Sequence, residues 1–281
     1  MLMPLAKIRA KGIGMIRLVA VDIDDTLMDS RRSIPQANLD AIGRIRRLGV
    51  EVVLVTGRMY CRALPYARML ELAPEQIMIS YNGALLKRIN GEEISHTPLE
   101  PGIALELVRY LQTRGLTIQA YHDDQLFVEK IDANVEYYMR MSGAEAHPVG
   151  DLYRFVADSN RAWTKMLAVG AEDQVAVEIG LAQNRFGAAA QITQSKKRYI
   201  EITHPDATKG KALAYLAARL GYSRDEVLAI GDGGNDLEMI QWAGLGIAME
   251  NGSPLLKERA QRIAPRHDED GVAQIIEELL L

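Results

Sequence analysis

The sequence predicts an α/β protein in which a doubly wound parallel sheet carries an inserted second α/β domain. Short apolar runs without a polar face alternate with amphipathic helical patterns, which is typical of parallel strands covered by helices on both sides. This order of elements implies right-handed crossovers between strands. The stretch between the third and fourth runs, residues 86–203, is too long for a loop and has strand and helix patterns of its own.

Five apolar runs predict the strands of the outer domain. Each run is short, is dominated by apolar residues and is followed by small or polar residues. We expect these strands at 15–21, 51–55, 76–80, 227–230 and 245–249.

Two helices between these strands have recognisable ends. In the first, Ser33 is expected to cap the N-terminus, Pro35 suits the first turn and Gly49 ends the helix. The second is expected to begin near Thr208 and to end at Gly221.

The inserted stretch predicts a complete domain. Residues 117–130 are typical of a hairpin that turns at residues 122–125. Further strands are expected at 163–170, 189–195 and 197–203, and helices at about 101–114, 131–141 and 172–184. The predicted organisation is an N-terminal extension at 1–14, an outer domain formed by 15–85 and 204–281, and an inserted domain at 86–203.

Composition and charge are those of an ordinary globular protein. Of the 281 residues, 48% are hydrophobic and 25% are charged, and a net charge of −4 offers no electrostatic surface for nucleic acid. No apolar run reaches the ~18 residues that a membrane span needs. The basic residues 1–14 make a poor secretory signal. Because Cys61 is the only cysteine, no intramolecular disulfide can form, and we expect a cytoplasmic protein without nucleic-acid or membrane partners.

Polar side chains cluster where the predicted parallel strands end. Asp22 and Asp24 follow the first strand, and comparable groups follow the second, third and fourth strands or begin the helix near Thr208. An open parallel sheet binds its ligands beyond the carboxyl ends of the strands, so we expect these residues at one edge. The other members of the set are Thr56, Gly57, Asn82, Lys209, Asp232, Asn235 and Asp236.

Taken singly, each of these residues has an ordinary structural role, such as a helix cap or an exposed lysine. The combination is more specific. Two acidic clusters at two strand ends favour a hard divalent cation with oxygen ligands, and Mg²⁺ fits this description best. A threonine, a lysine and free backbone N–H groups beside that cation favour an oxyanion, most simply a phosphoryl group.

Four segments resemble the motifs of the haloacid dehalogenase superfamily in their usual order: DIDDTL (22–27), VTGR (55–58), TKGKAL (208–213) and GDGGNDLEM (231–239). The long insertion between the second and third motifs resembles the Cof-type phosphatases, which have a C2-type cap. The YNGALL stretch at 81–86 also fits the start of that cap. The resemblance implies a Rossmann-like core with an inserted α/β cap domain. The sequence departs from the family pattern at Glu250, where a small residue is usual, and in its N-terminal extension.

The resemblance also implies chemical roles. Asp22 is the expected nucleophile, which forms an aspartyl-phosphate, and Asp24 is the expected general acid and base. Mg²⁺ would be held by the Asp22 carboxylate, the Asp24 backbone carbonyl and Asp232. Asp236 also belongs to the expected metal site, where it and Asn235 would orient these ligands. Asp25 is expected to be a positional residue, because many relatives have glycine there.

The same resemblance implies a phosphate-binding set. Thr56 and Lys209 are expected to contact the phosphoryl oxygens and to take part in catalysis. The full set is Thr56, Gly57, Asn82, Lys209 and Asn235. In the inserted domain, His122, Asp123, Lys165, Arg198 and Glu201 are candidate substrate contacts, because they are polar and lie near predicted strand ends or turns.

The resulting expectation is a Mg²⁺-dependent phosphatase for small phosphate monoesters, chiefly sugar phosphates. Two alternatives remain open. A phosphotransferase or phosphomutase would use the same nucleophile with a second hydroxyl in place of water. A phospho-acceptor signalling protein would combine similar residues but would be much shorter and would lack the inserted domain. The sequence does not indicate an oligomeric state.

Overall fold

A computed structural model of the protein describes residues 8–9, 15–159 and 161–281. The predicted N-terminal extension therefore lies outside the described residues, apart from one short strand. The strands are β1 Ile8–Arg9, β2 Met15–Ile16, β3 Leu18–Val21, β4 Glu51–Leu54, β5 Ile77–Ser80, β6 Leu85–Arg88, β7 Glu93–His96, β8 Thr117–His122, β9 Gln125–Val128, β10 Ala146–Pro148, β11 Lys165–Val169, β12 Gln191–Lys196, β13 Tyr199–Thr203, β14 Val227–Gly231, β15 Leu245–Met249 and β16 Arg262–Ala264. The helices are α1 Gln36–Arg47, α2 Tyr60–Met69, α3 Pro101–Thr113, α4 Ala133–Ser142, α5 Leu152–Asp158, α6 Glu172–Phe186, α7 Lys209–Leu220, α8 Leu237–Trp242, α9 Pro254–Arg259 and α10 Gly271–Leu280.

The described residues form two compact units. The first comprises the chain up to Gly57 together with Ala63–Ile94 and Thr208–Leu281, and the second comprises Arg58–Arg62 and Ser95–Ala207. The strands β5, β6 and β7 form a three-stranded sheet, and the boundary between the units falls within β7, between Ile94 and Ser95. Apart from Arg58–Arg62, the chain changes unit after residues 94 and 207, whereas the sequence predicted domain boundaries after residues 85 and 203.

The first unit is built on a parallel sheet with the strand order β16-β15-β14-β3-β4. Every residue of β3, β14 and β15 is buried, as expected for strands covered on both faces. The strand β5 extends the sheet through a parallel bridge between Val55 and Ile79. The predicted α/β fold with a doubly wound parallel sheet is thus confirmed, and β3, β14 and β4 end side by side.

Both helices predicted in the first unit are present, as α1 and α7, but one predicted cap is wrong. Thr208 caps α7 by accepting a hydrogen bond from the backbone N–H of Lys211 (3.1 Å), and Gly221 ends that helix in a left-handed conformation. The prediction that Ser33 caps α1 is wrong. The Ser33 hydroxyl donates to the carboxylate of Asp29 (3.1 Å), so it closes the turn before the helix.

The second unit contains a six-stranded sheet with the order β10-β9-β8-β11-β13-β12. The predicted hairpin of β8 and β9 is present, with His122 paired to Gln125, and both Asp123 and Asp124 have positive φ as a two-residue hairpin turn requires. The predicted helices appear as α3, α4 and α6, while the short α5 was not predicted. Alternate residues on one face of the sheet pack with helical residues into an apolar core.

None of the described helices is both long enough and apolar enough to cross a membrane.

Candidate active site

The site begins where β3 ends. The backbone N–H of Asp22 donates to the carbonyl of Ile230 on the neighbouring strand β14 (3.0 Å), which ties the two strand ends together. Asp22 and Asp24 are both extended, whereas Asp25 is left-handed at φ 56° and exposed. The left-handed position explains why glycine is acceptable there in relatives, and it supports the prediction that Asp25 has a positional role.

A buried lysine connects the two acidic strand ends. The Nζ atom of Lys209 lies 2.6 Å from a carboxylate oxygen of Asp22 and 2.6 Å from one of Asp236. Lys209 is 1% exposed, and the two aspartates are also buried. A charge removed from water in this way is tolerated only when it is paired and hydrogen-bonded, and both conditions are met. The prediction had placed Lys209 at the first turn of a helix; the structure adds its two partners.

Asp236 shapes the loop after β14. One of its carboxylate oxygens accepts the hydrogen bond from Lys209, and the other accepts from the backbone N–H groups of Asp232 (3.0 Å) and Gly233 (2.9 Å). Both oxygens are therefore already engaged by the protein. This geometry is that of a residue that orients the loop and its neighbouring ligands.

Asp232 has a partner that the sequence did not reveal. The hydroxyl of Thr26 donates a hydrogen bond to the Asp232 carboxylate (2.9 Å). Thr26 is fully buried in the turn after Asp25, so it holds Asp232 in one orientation. The only indication of this residue in the sequence is its position inside the DIDDTL segment, and the sequence predicts no role for it.

The electrostatics of the site follow from burial and crowding. Burial raises the pKa of Asp22 well above its usual value, and Asp236, Asp232 and Asp24 add to this, although Lys209 opposes them. Burial, with Asp236 next, raises the pKa of Asp232 to about 7. Burial alone would lower the pKa of Lys209, but Asp22 and Asp236 raise it above its usual value, so the ammonium stays charged. The site therefore carries more carboxylates than its one buried cation can neutralise.

This excess of carboxylates fits a divalent cation. Carboxylate oxygens of Asp22, Asp232 and Asp236 lie within 4.8 Å of one another. A hard cation such as Mg²⁺ takes oxygen ligands of this kind. A bound cation would also offset the desolvation and repulsion that raise the pKa of Asp22 and Asp232. Of the predicted acidic set, Asp24 contributes no carboxylate to this group, in keeping with its predicted contact through the backbone carbonyl.

The predicted phosphate-binding residues after β4 lie next to the one after β5 in space. The carbonyl of Thr56 accepts a hydrogen bond from the N–H of Asn82 (2.9 Å). The side chain of Asn235 donates to the amide oxygen of Asn82 (2.9 Å), which links this corner to the loop after β14. A Cβ at Gly57 would lie 2.8 Å from the same amide oxygen, so only glycine lets the chains approach this closely.

Glu250 directly follows β15, and its side chain pairs with a lysine. Its carboxylate is 3.6 Å from the ammonium of Lys257, and the residue is exposed. Its neighbour Asn251 donates to the backbone carbonyl of Asp25 (2.8 Å). The charge that Glu250 introduces at this departure from the family pattern is thus paired with Lys257 at the surface.

Fold and site together define a class of doubly wound α/β protein in which a buried aspartate–lysine pair lies beside an acidic loop at the carboxyl edge of the sheet. A sequence profile described as haloacid dehalogenase-like hydrolase matches residues 19–276. The protein belongs to this family, as the motifs predicted, and the prediction that it is an enzyme is confirmed at the level of a hydrolase of this family.

Individual relatives agree with this assignment. The 5-amino-6-(5-phospho-D-ribitylamino)uracil phosphatase YcsE of Bacillus subtilis is 30% identical over 271 residues, covering 95% of this chain and 96% of the relative. Phosphatase YwpJ of the same organism is 24% identical, covering 94% and 100%. A crystal structure of a haloacid dehalogenase-like hydrolase from Bacteroides thetaiotaomicron has a TM-score of 0.84 at 29% identity, covering 93% and 98%.

Proposed function

We propose that this protein is a Mg²⁺-dependent phosphatase that hydrolyses small phosphate monoesters, chiefly those of sugars and polyols, through an aspartyl-phosphate on Asp22. The observation that carries the proposal is the Asp22 carboxylate held 2.6 Å from the buried ammonium of Lys209 at the carboxyl edge of the sheet. Two relatives are named phosphatases, and one of them is named for a phosphorylated ribitylamino substrate.

In the first proposed step, a carboxylate oxygen of Asp22 attacks phosphorus and the bond from phosphorus to the ester oxygen breaks. Asp24 donates its proton to the departing alcohol, so that an alcohol rather than an alkoxide leaves. Lys209, Thr56 and the amide side chains of Asn82 and Asn235 orient the phosphoryl oxygens, and the ammonium of Lys209 stabilises their charge.

In the second step, water attacks phosphorus of the aspartyl-phosphate while Asp24 takes its proton. The bond from phosphorus to the Asp22 oxygen breaks, which releases inorganic phosphate and restores both aspartates to their starting states. Bound Mg²⁺ would be held by Asp22, the carbonyl of Asp24 and Asp232, and Asp236 would orient these ligands. The cation would neutralise charge at the phosphoryl group.

We further propose that residues 86–203 choose the substrate while the first unit performs the chemistry, because all four motifs lie outside that segment. The single cysteine favours a reducing compartment, and we place the activity in the cytoplasm.

The experiment is a screen of phosphate monoesters with the purified protein, measured as inorganic phosphate released with Mg²⁺ and in excess chelator. We expect turnover with Mg²⁺ and its loss on chelation. Phosphate released to water supports a hydrolase, whereas transfer to a second alcohol without free phosphate would support a phosphotransferase. Undiminished turnover in excess chelator would contradict the proposed metal dependence.

A further inference from the structure

Lys209, which bonds both acidic strand ends, is the first residue of α7, and the start of that helix is tied to α8. Thr208 caps α7, and its hydroxyl donates a hydrogen bond to the carboxylate of Glu238 on α8 (2.5 Å). The same hydroxyl accepts from the backbone N–H of Lys211 (3.1 Å). Because a hydroxyl has a single proton to donate, these two bonds fix its orientation. The cap of α7 is therefore attached to a charged residue of another helix.

Glu238 also contacts the residue on the other side of Lys209. Gly210 is buried, and a Cβ built on it would lie 2.6 Å from the Cβ of Glu238 and 2.8 Å from its backbone carbonyl carbon. Since real Cβ atoms do not approach other atoms this closely, only glycine lets the first turn of α7 lie against the first turn of α8. The two chain neighbours of Lys209, Thr208 and Gly210, are therefore both in contact with Glu238.

The segment that carries Glu238 also holds the side chain of Lys209. Asp236, two residues before Glu238, accepts a hydrogen bond from the Lys209 ammonium (2.6 Å). One short segment therefore fixes Lys209 at both ends, its backbone through Glu238 and its ammonium through Asp236. The position of the ammonium, which also lies 2.6 Å from Asp22, thus depends on how α7 and α8 are joined.

The contact between Glu238 and Thr208 is not a matter of core packing. Glu238 is exposed, and an exposed glutamate has water available for its carboxylate. Here the carboxylate instead accepts from a hydroxyl whose residue is only 5% exposed. Ordering a long side chain in this way costs conformational entropy, which a hydrogen bond to a charged acceptor offsets. The bond therefore constrains the buried partner, Thr208, and with it the start of α7.

We propose that Glu238 is a positioning residue for Lys209. Through Thr208 it fixes the first turn of α7, so that the Lys209 ammonium stays beside Asp22, where the phosphoryl group would react. This inference rests on the proposed phosphatase function and deepens it. Phosphoryl transfer depends mainly on how charges are placed around phosphorus, so a displacement of the ammonium by about 1 Å should slow the reaction even though Glu238 touches no reacting atom.

The test compares Glu238→Ala with Glu238→Gln and with the control Glu258→Ala, using nitrophenyl phosphate as substrate. Glu258 is a matched control, because it is an exposed glutamate on a short helix of the same unit, α9, and its carboxylate lies 3.8 Å from Arg259. In Glu238→Ala, kcat and kcat/KM should fall together by roughly 10–100-fold, as expected for an interaction made in the transition state. Glu238→Gln should recover most of this loss, since its amide oxygen can still accept from Thr208. The control should retain both values.

A second variant breaks the same hydrogen bond from its other side. Thr208→Val removes the hydroxyl and the cap of α7, so it should lower both kcat and the unfolding temperature. Adding Glu238→Ala to Thr208→Val should change kcat by less than about threefold, because the bond is already lost. Thermal unfolding checks that each variant is folded at the assay temperature. Losses that multiply in the double variant would show that the two residues act separately and would overturn the inference.

A measurement without turnover follows Lys209 directly. In protein isotope-labelled at lysine nitrogen, magnetic resonance detects the ammonium of Lys209, and the loss of its signal in Lys209→Met assigns it. Glu238→Ala should shift or broaden this signal, whereas Glu238→Gln and Glu258→Ala should leave it in place.

The two readouts separate this inference from the proposed function. An unchanged signal or an unchanged kcat in Glu238→Ala would overturn the positioning role while the phosphatase proposal stands. A wild-type protein that releases phosphate from no ester, but whose Lys209 signal changes in Glu238→Ala, would overturn the proposed function and support the coupling of Glu238 to Lys209.

Discussion

At the scale of single residues, the site depends on how a few charges are shared. Lys209 is the only buried cation bonded to both Asp22 and Asp236 among the described residues, and it is placed at 2.6 Å from each. Asp236 uses its other oxygen to hold the loop of Asp232, and Thr26 holds the Asp232 carboxylate. The proposed nucleophile Asp22, the proposed metal ligand Asp232 and the loop that carries Asp232 are therefore coupled through hydrogen bonds, so that each substitution should have a distinct effect.

The two aspartates after β3 should have separable kinetic roles. Asp24→Ala should lose roughly 10²–10⁴-fold in the first step with a sugar phosphate, the usual contribution of a general acid. With nitrophenyl phosphate, whose leaving group needs little protonation, the same variant should release about one equivalent of nitrophenol and then stall as aspartyl-phosphate. Asp22→Asn should show no burst, because the attacking oxygen is lost. Rapid-quench measurements with both substrates test this, and a burst from Asp22→Asn or wild-type turnover by Asp24→Ala would show that the roles are wrongly assigned.

The raised pKa of Asp232 predicts how cation binding depends on pH. Its pKa of about 7 means that the metal-free protein holds a proton there below neutral pH, which a bound cation must displace. The apparent affinity for Mg²⁺ should therefore fall as the pH drops below about 7, by up to about tenfold per pH unit for this proton alone, and the raised pKa of Asp22 should make the fall steeper. Calorimetric titration with Mg²⁺ between about pH 5.5 and 8 measures this. An affinity that is independent of pH would contradict it.

The same raised pKa sets the sign of a stability effect in the absence of metal. A carboxyl group whose pKa is higher in the folded state contributes stability that is fully present below its unfolded value and is lost as the pH rises through about 7. In chelator, the unfolding temperature of the wild-type protein should fall relative to that of Asp232→Asn as the pH rises from about 5 to 8. The Asn variant is the control, because it cannot ionise.

At the scale of elements, the site depends on close approaches between loops. Tyr81, Asn82 and Gly83 after β5 all have positive φ, which bends the chain sharply so that Asn82 reaches Asn235. A Cβ on Gly83 would collide with the backbone carbonyl of Thr208, which caps the helix that begins with Lys209. The turn after β5 therefore sets the position of α7.

This close approach gives a matched pair of glycine substitutions. Gly83 and Gly91 have similar positive φ values, 104° and 96°, but nothing lies within 4 Å of a Cβ built on Gly91. Gly91→Ala should cost only the backbone strain, about 1–2 kcal/mol. Gly83→Ala should cost roughly 2–5 kcal/mol, because overpacking adds to the same strain, and it should also lower kcat by moving Lys209. Urea unfolding and steady-state kinetics of both variants test this, and equal effects would contradict the proposed clash.

At the scale of the whole molecule, we assign the proposed chemistry to the first compact unit and the proposed choice of substrate to the second. The acidic group and the residues of the four motifs, apart from Arg58, lie in the first unit, whereas the six-stranded sheet lies in the second. Each unit has an apolar core of its own, so each can retain its fold when residues of the other are changed.

The division predicts where Mg²⁺ stabilises the chain. A ligand that binds only the folded state protects the structure that forms its site. Addition of Mg²⁺ should slow amide hydrogen exchange at the ends of β3 and β14 and leave the central strands β8 and β11 unchanged. Asp232→Asn should abolish the protection. Exchange measured by mass spectrometry with and without Mg²⁺ tests this, and equal protection of both sheets would contradict a site confined to the first unit.

Much of the protein could be predicted from local patterns. Apolar periodicity, turn residues and motif spacing are properties of neighbouring residues. They therefore predicted the parallel strands, the hairpin at 122–125, the start of α7 at Lys209 and the family. Ser33 was misassigned because the helix begins after Pro35, and the Ser33 hydroxyl, which would cap a helix by accepting from a backbone N–H, instead donates to the carboxylate of Asp29.

The sequence by itself determined which chemical groups stand at the ends of the strands, and so the class of enzyme. Only the tertiary structure decided which of them touch. The hydrogen bond from Thr26 to Asp232 and the two hydrogen bonds from Lys209 to Asp22 and Asp236 join residues far apart in the chain. Such contacts depend on the register of strands and the approach of loops, and their energies arise from burial, which no local pattern of residues specifies.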